Sequence, residues 1–260
     1  QKHMSAKYNK KDCKIFDSKI YCLCGDGCLM EGVSQEALSL AGNLCLNNFV
    51  LIYDCNNITI EGKTDITFTE NVKLKFEALG FDVLQVKDGN NVEQITKTLL
   101  KTKQAKRPTL VIVKTQIGFG SELAGHQKSH GTPLKPEQLE KLKENLNVIK
   151  PNFDLSSDVK DHLKQKSLNA KQRLKQQSNT AEYKKLYPKE WKELKALIDG
   201  KDYAKEIEKI KKIKPTEAQS TRDINADILT QVADIVPNMF GGSADVATST
   251  MAFDKKATDF

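Results

Sequence analysis

The sequence predicts an α/β protein in which helices cover the faces of a parallel sheet. Over roughly the first 115 residues, short apolar runs alternate with stretches whose apolar positions recur at helical spacing. Strands that alternate with helices of about 10–16 residues are typical of βαβ units and therefore of parallel sheets. Each strand–helix–strand connection is then expected to be right-handed.

The first predicted strand lies within residues 15–24 and stops at Gly25, which starts a glycine turn. We expect it to be a central, buried strand. A helix over 31–46 follows, because valine, alanine and leucine recur there at close to helical period. The second buried strand spans 49–53 and ends in the polar turn 54–57.

The same alternation continues along the chain. The expected elements are a helix over 69–79 with Thr69 as its cap, a strand over 81–86, a helix over 91–103 and a strand over 109–114. Residues 115–134 then form a glycine-rich segment with two histidines and no periodicity. Such a long loop after a strand is more often functional than a plain connection.

The second half of the chain has a different composition, because from about 135 to 200 it is rich in lysine and poor in large apolar residues. We predict a first domain over 1–200 with a helical extension from about 135, a charged linker over 201–216, and the beginning of a second α/β domain over 217–260. That last part contains a predicted helix over 220–235 and a short strand over 238–240. Its length of about 44 residues is too small to bury a core alone.

The charge pattern argues against nucleic acid and membrane as partners. The chain of 260 residues carries a net charge of +7, but only three of its 41 basic residues are arginines. Arginine forks dominate sequence-specific contacts with nucleic acids, whereas these lysines interleave with glutamates as on solvated helix faces. No apolar run approaches the roughly 18–20 residues of a membrane span. The positive sign remains compatible with a modest attraction for phosphorylated small anions.

The six cysteines predict reduced thiols and a cytoplasmic protein. They lack the loop-rich spacing of a disulfide scaffold. Zinc would need a fourth ligand beside Cys22, Cys24 and Cys28, and no paired C-x-x-C or H-x-x-x-H motif supplies one. We therefore interpret Cys22 and Cys24 as one face of a buried strand.

Polar residues follow the first two predicted strands where each of them ends. Asp26 lies in the run Gly25-Asp26-Gly27, and Asn56-Asn57 comes 30 residues later. The carboxyl ends of parallel strands share one edge of the sheet, where open α/β sheets bind ligands. Carboxylate, amide and carbonyl oxygens suit Mg²⁺ or Ca²⁺ rather than zinc. Gly27 would let backbone N–H groups approach a diphosphate at the start of the next helix.

The motifs at this edge are compatible with other interpretations. Gly25-Asp26-Gly27 and Asn56-Asn57 could each be an ordinary turn, since turns of that composition are common. A dinucleotide site fits poorly, because Gly25, Gly27 and Gly32 do not have the G-x-G-x-x-G spacing. A Walker loop is also missing. The spacing of the two motifs and the intervening helix favour a site for a metal and a diphosphate.

Longer motifs around this edge resemble the transketolase family of thiamine diphosphate enzymes. The matching runs are Gly25-Asp26-Gly27-Cys28-Leu29-Met30-Glu31-Gly32, Tyr53-Asp54-Cys55-Asn56-Asn57-Ile58-Thr59-Ile60, Lys114-Thr115-Gln116-Ile117-Gly118-Phe119-Gly120-Ser121, His130-Gly131-Thr132-Pro133-Leu134, and Gly241-Gly242-Ser243-Ala244-Asp245 preceded by Thr221-Arg222. The resemblance covers nearly the whole chain and is weakest across 135–215. It implies the three-layer thiamine diphosphate-binding fold. The first domain would then be the diphosphate-binding one, and 217–260 would begin the pyrimidine-binding one.

The resemblance implies a role for each matching residue. Asp26 and Asn56 would ligate the divalent metal by side chains and Ile58 by its carbonyl, while Gly27 and Asn56 would contact the diphosphate. The remaining implied roles are cofactor packing for Ile117, contacts with the diphosphate and the sugar for His130, a place at the dimer interface for Glu31, binding of the substrate phosphate for Arg222 and Ser249, and a cofactor contact from the neighbouring subunit for Asp245. His130 is the implied catalytic residue.

The chain departs from the family pattern at two places. Where the family usually has G-T-H-G-V-H-G, this chain has Gly125-His126-Gln127-Lys128-Ser129-His130-Gly131, so that the earlier family histidine aligns with Gln127. The family's leucine and proline after Ala244-Asp245 are replaced by Val246 and Thr248.

The implied activity is transfer of a two-carbon ketol unit between sugar phosphates by a homodimer that uses thiamine diphosphate with Mg²⁺ or Ca²⁺. We expect the chain to be a part of a larger protein, truncated at both ends, and to be inactive alone. Two alternatives stay open. One is another thiamine diphosphate carbon transferase, such as a dihydroxyacetone synthase or, less favoured by the motifs, a deoxyxylulose phosphate synthase. The other is a non-catalytic interaction module that keeps the fold.

Overall fold

The structure, a computed structural model, describes residues 1–148, 151, 153–177, 179–210, 217–254 and 256. Contacts divide the chain into two compact units, Gln1–Ser178 and Asn179–Phe260. The predicted boundaries at 200/201 and 216/217 stay a prediction. The part of the predicted linker that lies within 211–216 falls outside the described residues.

The first unit is built on a four-stranded parallel sheet, as the alternation of elements predicts. Its strands are β1 (Ile20–Gly25), β2 (Phe49–Cys55), β3 (Asp82–Val86) and β4 (Thr109–Lys114), in the spatial order β1-β2-β4-β3. All three pairings are parallel. Gly25 lies opposite Asp54, and Cys55 lies opposite Lys114, so the carboxyl ends of three strands are level with one another.

Four helices accompany these strands: α1 (Lys2–Tyr8), α2 (Gly32–Asn43), α3 (Val72–Ala78) and α4 (Val92–Thr102). The prediction of Thr69 as the cap of α3 is wrong. Asn71 precedes the first helical residue, and its side chain accepts a hydrogen bond from the backbone N–H of Leu74. An N-cap side chain must reach the N–H of the second or third helical residue, and Thr69 lies too far upstream.

Apolar side chains pack on both faces of the sheet, which gives three layers. One cluster joins Leu51 and Leu110 of the sheet to Leu38 of α2 and Phe76 of α3. The other joins valines of β2, β3 and β4 to Ile95 of α4. On the first face α2 approaches the end of α3 so closely that a Cβ added to Gly42 would lie 1.8 Å from the carbonyl oxygen of Leu79.

The expectation that the first strand is central and buried is wrong. In the described part of the chain β1 is an edge strand, paired with β2 alone. Leu23 is 72% exposed, and Cys22 is exposed as well. An apolar run indicates that a strand can be buried, but it does not reveal whether a neighbouring strand covers its second edge.

The chain after β4 is an irregular segment over 115–134 that contains a 3₁₀ turn, Gln127–His130. Two helices complete this unit, α5 (Pro136–Asn145) and α6 (Ser157–Gln177). No helix in the described ranges is long and apolar enough to span a membrane.

The second unit consists of helices α7 (Thr180–Leu186), α8 (Pro188–Ile198), α9 (Ala204–Ile210), α10 (Thr221–Ile235) and α11 (Ala247–Thr250). The predicted helix over 220–235 is confirmed, with Ser220 as its cap. The predicted strand over 238–240 is wrong, because these residues follow α10 in a turn where Met239 N–H donates to the carbonyl of Val236. A strand needs a neighbour for its backbone groups, and here the turn takes up one of them.

Candidate functional site

Asp26 is the centre of the polar contacts at the carboxyl edge of the sheet. It follows β1 directly and precedes the 3₁₀ turn Gly27–Met30, and only 3% of it is exposed. One carboxylate oxygen, Oδ2, accepts hydrogen bonds from the backbone N–H groups of Asn56 at 3.2 Å and Asn57 at 3.0 Å. The structure therefore brings together the two motifs that lie 30 residues apart in the sequence.

The turn after β2 holds these donors in place. The side-chain oxygen of Asn56 accepts from the backbone N–H of Ile58 at 2.9 Å, which closes a turn on Asn56 itself. Asn57 has φ +60°, a left-handed conformation that asparagine tolerates better than most residues. Thr64 N–H then donates to the carbonyl of Asn57 at 3.1 Å, so the next segment is fixed to the same turn.

Tyr53 belongs to the second predicted strand and to one of the matching motifs, but the sequence predicts no role for it at this edge. Its hydroxyl donates to Oδ1 of Asp26, and both side chains are buried. Burial, and then the hydrogen bond to Asp26, raise the pKa of the Tyr53 phenol far above its ordinary value. The sequence contains a signal for such a contact. A tyrosine within a buried strand needs a hydrogen-bond partner for its hydroxyl.

Two further contacts tie the end of β4 to the end of β2. The hydroxyl of Thr115 donates to a carboxylate oxygen of Asp54. The ammonium group of Lys114 donates to the sulfur of Cys55 at 3.0 Å. Both pairs bridge more than 55 residues of sequence, and they extend the polar edge from β1 across β2 to β4.

The loop after β4 contains two more of the predicted residues. Ile117 is half-buried, and its carbonyl accepts from Gly125 N–H at 2.8 Å, which closes the loop on itself. Gly118 has φ +65°, and a Cβ there would lie 2.5 Å from the hydroxyl of Ser129. Both the conformation and the close approach therefore require glycine at this position.

His130 is exposed and ends the 3₁₀ turn. The side chain of His126 caps this turn, since its Nδ1 accepts from the backbone N–H of Lys128 at 3.1 Å. His126 thus has a local structural role in the segment where the sequence departs from the family pattern. Gln127 lies within the turn, at the position of the earlier family histidine.

The oxygen donors of this edge fit a hard divalent cation. Asp26, the amide oxygen of Asn56 and the backbone carbonyl of Ile58 offer oxygen atoms only. A Cβ added to Gly27 would meet no atom within 4 Å, which leaves open space beside the carboxylate. A cavity of about 480 Å³ also borders Asn56, Asn57 and Ile58. No cluster of three or more His, Cys, Asp or Glu side chains suited to a metal occurs in the described ranges. A divalent cation at this edge would therefore complete its coordination with oxygen atoms from outside the protein, such as those of a bound phosphate group or of water.

Three further predicted residues, Arg222, Asp245 and Ser249, lie in the second unit. Arg222 is exposed in the first turn of α10, and its Nη1 donates to the backbone carbonyl of Ser249 at 3.2 Å. Asp245 has φ +56° and precedes α11. The structure thus brings Arg222 and Ser249 together. Glu31, in the first unit, is exposed at the start of α2 and makes no side-chain cap there.

The fold and its carboxyl edge define a class of protein: a parallel α/β protein whose edge carries oxygen ligands of the kind that a hard divalent cation needs. Comparison with known proteins specifies the family. Residues 1–203 match the family model described as transketolase, thiamine diphosphate binding domain. The chain belongs to the transketolase family.

Curated relatives agree with this assignment. The chain is 38% identical over 268 residues to the transketolase of Bacillus subtilis and 40% identical over 267 residues to transketolase 10 of Craterostigma plantagineum. These alignments cover 100% of this chain but only 40% and 39% of the relatives. The chain therefore spans about two fifths of the length of the relatives it matches.

Solved structures give the same result. Transketolase from Leishmania mexicana is similar with a TM-score of 0.85 and 34% identity, over 96% of this chain and 38% of that one. Transketolase from Pichia stipitis in complex with sedoheptulose-7-phosphate is similar with a TM-score of 0.86 and 34% identity, over 97% and 38%. The predicted fold class is confirmed: a thiamine diphosphate-binding fold with a parallel sheet between helices.

Proposed function

We propose that the chain is a portion of a transketolase. The complete enzyme would transfer a two-carbon ketol unit from a ketose phosphate, such as xylulose 5-phosphate, to an aldose phosphate, such as ribose 5-phosphate. This reaction belongs to the pentose phosphate pathway, and we expect a cytoplasmic location. Thiamine diphosphate, when bound, would supply the carbanion that adds to the ketose carbonyl and the electron sink that stabilises the product of cleavage.

The observation that carries this proposal is the set of contacts around Asp26. A buried carboxylate costs free energy unless its oxygens are hydrogen-bonded, and Asp26 is bonded by Tyr53 and by the N–H groups of Asn56 and Asn57. These donors fix the carboxylate without occupying all of its lone pairs. Such an arrangement is preorganised for one hard cation beside a diphosphate.

Each residue at this edge would then have a separate role in binding or catalysis. Asp26, the Asn56 side chain and the Ile58 carbonyl would hold Mg²⁺ or Ca²⁺, and Gly27 with Asn56 would contact the diphosphate. The Ile117 side chain would exclude water from one face of the cofactor. His130 is proposed as the catalytic residue, since it is exposed and an imidazole can serve as a general acid or base.

Residues of the second unit would bind substrate and cofactor. The guanidinium of Arg222 offers a planar fork that suits a sugar phosphate, and its bond to the Ser249 carbonyl holds it near the start of α11. Ser249 would contribute to the same phosphate site, and Asp245 would contact the cofactor of the neighbouring subunit. The proposed assembly is a homodimer whose site is shared between subunits, with Glu31 at the interface. We further propose that the chain alone binds thiamine diphosphate weakly or not at all and has no turnover.

A chimeric enzyme tests the proposal. The chain would replace the matching part of the Bacillus subtilis transketolase, to which it aligns over its full length. We expect the chimera to transfer ketol units when thiamine diphosphate and Mg²⁺ are present, and Asp26→Ala or His130→Ala in it to abolish transfer. Asp88→Ala, an exposed aspartate near α4, is the matched control and should keep the activity.

Three outcomes would count against it. A chimera that folds and dimerises but transfers nothing would favour the non-catalytic module. Preference of the complete protein for an acceptor other than an aldose phosphate would favour a dihydroxyacetone synthase-like transferase. Turnover by the 260-residue chain alone at a rate comparable to that of an intact enzyme would contradict the proposed incompleteness of the site.

A further inference from the structure

A second concave polar surface lies at the opposite, amino-terminal end of the sheet. We call it the amino-edge cleft. It has a volume of about 260 Å³ and lies where β1 and β2 begin and where the chain passes from α4 to β4. Its charged side chains are those of Lys2, Asp17, Lys19, Lys103 and Lys106, and its amide side chains are those of Gln1, Asn47, Asn48 and Gln104. None of them belongs to the proposed cofactor site.

The charges of the cleft are not balanced. Among the lining residues four are lysines, and Asp17 is the only carboxylate. None of these four lysines forms an ion pair with another described residue. Lysines elsewhere in the same unit do find partners, as Lys141 does with Glu122 and Lys143 with Glu140. The cleft is therefore a local concentration of unpaired positive charge within a polar wall.

Lys19 shows the consequence of this imbalance most directly. Its ammonium group is partly buried and donates to the backbone carbonyl of Asn47 at 2.6 Å, which fixes its position. Burial and then repulsion from Lys2 lower the pKa of the Lys19 ammonium, and Asp17 offsets this only in part. An anion placed between Lys19 and Lys2 would relieve both the repulsion and the lost solvation.

A wider hollow continues from the cleft. It has a volume of about 740 Å³ and shares Gln104, Ala105 and Lys106 with the cleft. It adds the cationic side chains of Lys101 and Arg107, while Glu77 and Asp82 lie among its lining residues. Positive charge thus continues beyond the cleft along the segment that leads into β4, but there it is mixed with carboxylates.

We propose that the amino-edge cleft binds a small anion that carries two or more phosphate groups. Lysines act as separate point charges and suit multivalent phosphates without strict geometry. The small volume favours a compact ligand, because sites for drug-sized molecules are about 300–1,000 Å³. Phe16 is the one aromatic residue that lines the cleft and no arginine does, so the cleft offers a single ring for stacking and none of the forked contacts that nucleic acids use. The inference does not depend on the proposed function, since it concerns the opposite edge of the sheet.

Calorimetric titration of the chain with inorganic triphosphate tests this site. The buffer contains EDTA and neither Mg²⁺ nor thiamine diphosphate, so that the proposed metal site cannot contribute. We expect a saturable one-to-one isotherm at near-physiological salt. Lys103→Gln combined with Lys106→Gln should weaken binding at least about tenfold, because each removes a charge-assisted contact.

The control has the same change in net charge at another place. Lys166→Gln combined with Lys171→Gln alters two exposed lysines of α6 and should change the affinity by less than about twofold. Equal weakening by both pairs would mean non-specific attraction and would overturn the proposal, as would absence of saturable binding to the unaltered chain. His130→Ala should leave the isotherm unchanged, and weakening by it would assign the triphosphate to the other edge.

Comparison of ligands defines the chemistry. Orthophosphate should bind more weakly than triphosphate, since it meets fewer lysines. A short single-stranded oligonucleotide that binds more tightly than triphosphate, with the same dependence on Lys103 and Lys106, would replace the small anion by a nucleic acid and overturn the proposal.

Discussion

The two edges of the sheet handle charge in opposite ways. At the carboxyl edge one buried carboxylate, Asp26, is surrounded by donors that belong to the protein itself. At the amino edge four lysines line one cleft, and none of them pairs with a carboxylate of the described residues. The carboxylate at the first edge has protein donors for its oxygens, whereas the lysines at the second edge have no ion-pair partner among the described residues.

This difference follows from how the chain reaches each edge. At the carboxyl edge the polar turns come directly after level strand ends, so their backbone N–H groups converge on one point. At the amino edge the lysines come from α1, from the segment before β1 and from the segment before β4. Long flexible side chains on separate segments do not hold their charged groups in one fixed geometry. They therefore create a positive electrostatic potential rather than a coordination site of defined geometry.

Helix α2 runs from one edge to the other. Substitutions at its two ends should show the largest difference in unfolding free energy. Gly32 begins α2 at the carboxyl edge, where an added Cβ meets nothing within 4 Å. Gly42 lies at the other end, where the Cβ would overlap the carbonyl of Leu79. Gly42→Ala should cost more than about 3 kcal/mol of unfolding free energy, because a backbone carbonyl cannot move aside as a side chain can.

Gly32→Ala is the matched control on the same helix. It should change stability by less than about 1 kcal/mol and in the stabilising direction, since alanine reduces the entropy of the unfolded chain. Urea unfolding of both variants measures the contrast. Similar stabilities for the two would contradict the close approach of α2 to the end of α3.

Removal of the Asp26 carboxylate should have the next largest effect. Asp26→Ala leaves the buried hydroxyl of Tyr53 and two backbone N–H groups without their acceptor, and we expect a loss of about 3 kcal/mol. Asp17→Ala, at the amino edge, should stay within about 0.5 kcal/mol because its side chain is exposed. Urea unfolding in EDTA checks both, and a loss below about 1 kcal/mol for Asp26→Ala would refute the role of the contacts.

The parts of this edge that the sequence predicts are those carried by topology. Strand–helix alternation implies parallel strands, and parallel strands bring Asp26 to Asn56 without any knowledge of side-chain contacts. The sequence does not predict which groups donate hydrogen bonds to each carboxylate oxygen of Asp26. The contact from Tyr53 depends on the face of the sheet on which its side chain lies, and β2 is an almost continuous apolar run whose residues do not alternate in a way that would identify that face.

The position of β1 at the edge of the sheet has a similar explanation. Its apolar run Ile20 to Cys24 is as strong as that of β2, yet Leu23 is largely exposed. The local sequence indicates that a strand can be buried. Which strands lie beside it depends on the order of the strands in the sheet, and the local sequence does not specify that order. The strand predicted over 238–240 fails for the same reason, because a three-residue apolar run needs a partner strand to become one.

The Tyr53 hydroxyl gives a smaller and pH-dependent test of the carboxyl edge. Tyr53→Phe should cost about 1–2 kcal/mol at pH 7, the usual range for a hydrogen bond to a charged group. Since burial and the bond to Asp26 raise the pKa of the phenol above its ordinary value of 10.0, the bond stabilises the fold below about pH 10. Above that pH the unfolded chain ionises first, and the advantage of the native tyrosine is lost.

Unfolding free energies of the two proteins between pH 7 and 11 measure this decline. The difference between wild type and Tyr53→Phe should shrink as the pH rises above about 10. A difference that stays constant through this range would mean that the hydroxyl is not held by Asp26.

The amino edge should respond to alkaline pH in the opposite direction, with the smallest effect of the series. The pKa of the Lys19 ammonium lies below its ordinary value of 10.5, because of burial and the nearby Lys2. Between the folded and the unfolded pKa the unfolded chain binds more protons, so the contribution of Lys19 to stability rises with pH in the window that ends near 10.5. Lys2→Gln should remove part of this rise, and at pH 7 and low salt it should stabilise the fold by about 0.3 kcal/mol.

Measurements at high salt and with bound triphosphate test whether repulsion between Lys2 and Lys19 causes the stabilisation by Lys2→Gln. The gain from Lys2→Gln should vanish near 1 M salt, where the screening length falls to about 3 Å. It should also shrink when triphosphate fills the amino-edge cleft, since the bound anion neutralises the same charges. Lys166→Gln removes one lysine of α6 and should show neither dependence. If the gain from Lys2→Gln persists at high salt, the instability at this edge comes from the packing of Lys2 rather than from unpaired charge, and the contrast between the two edges would have to be explained without electrostatics.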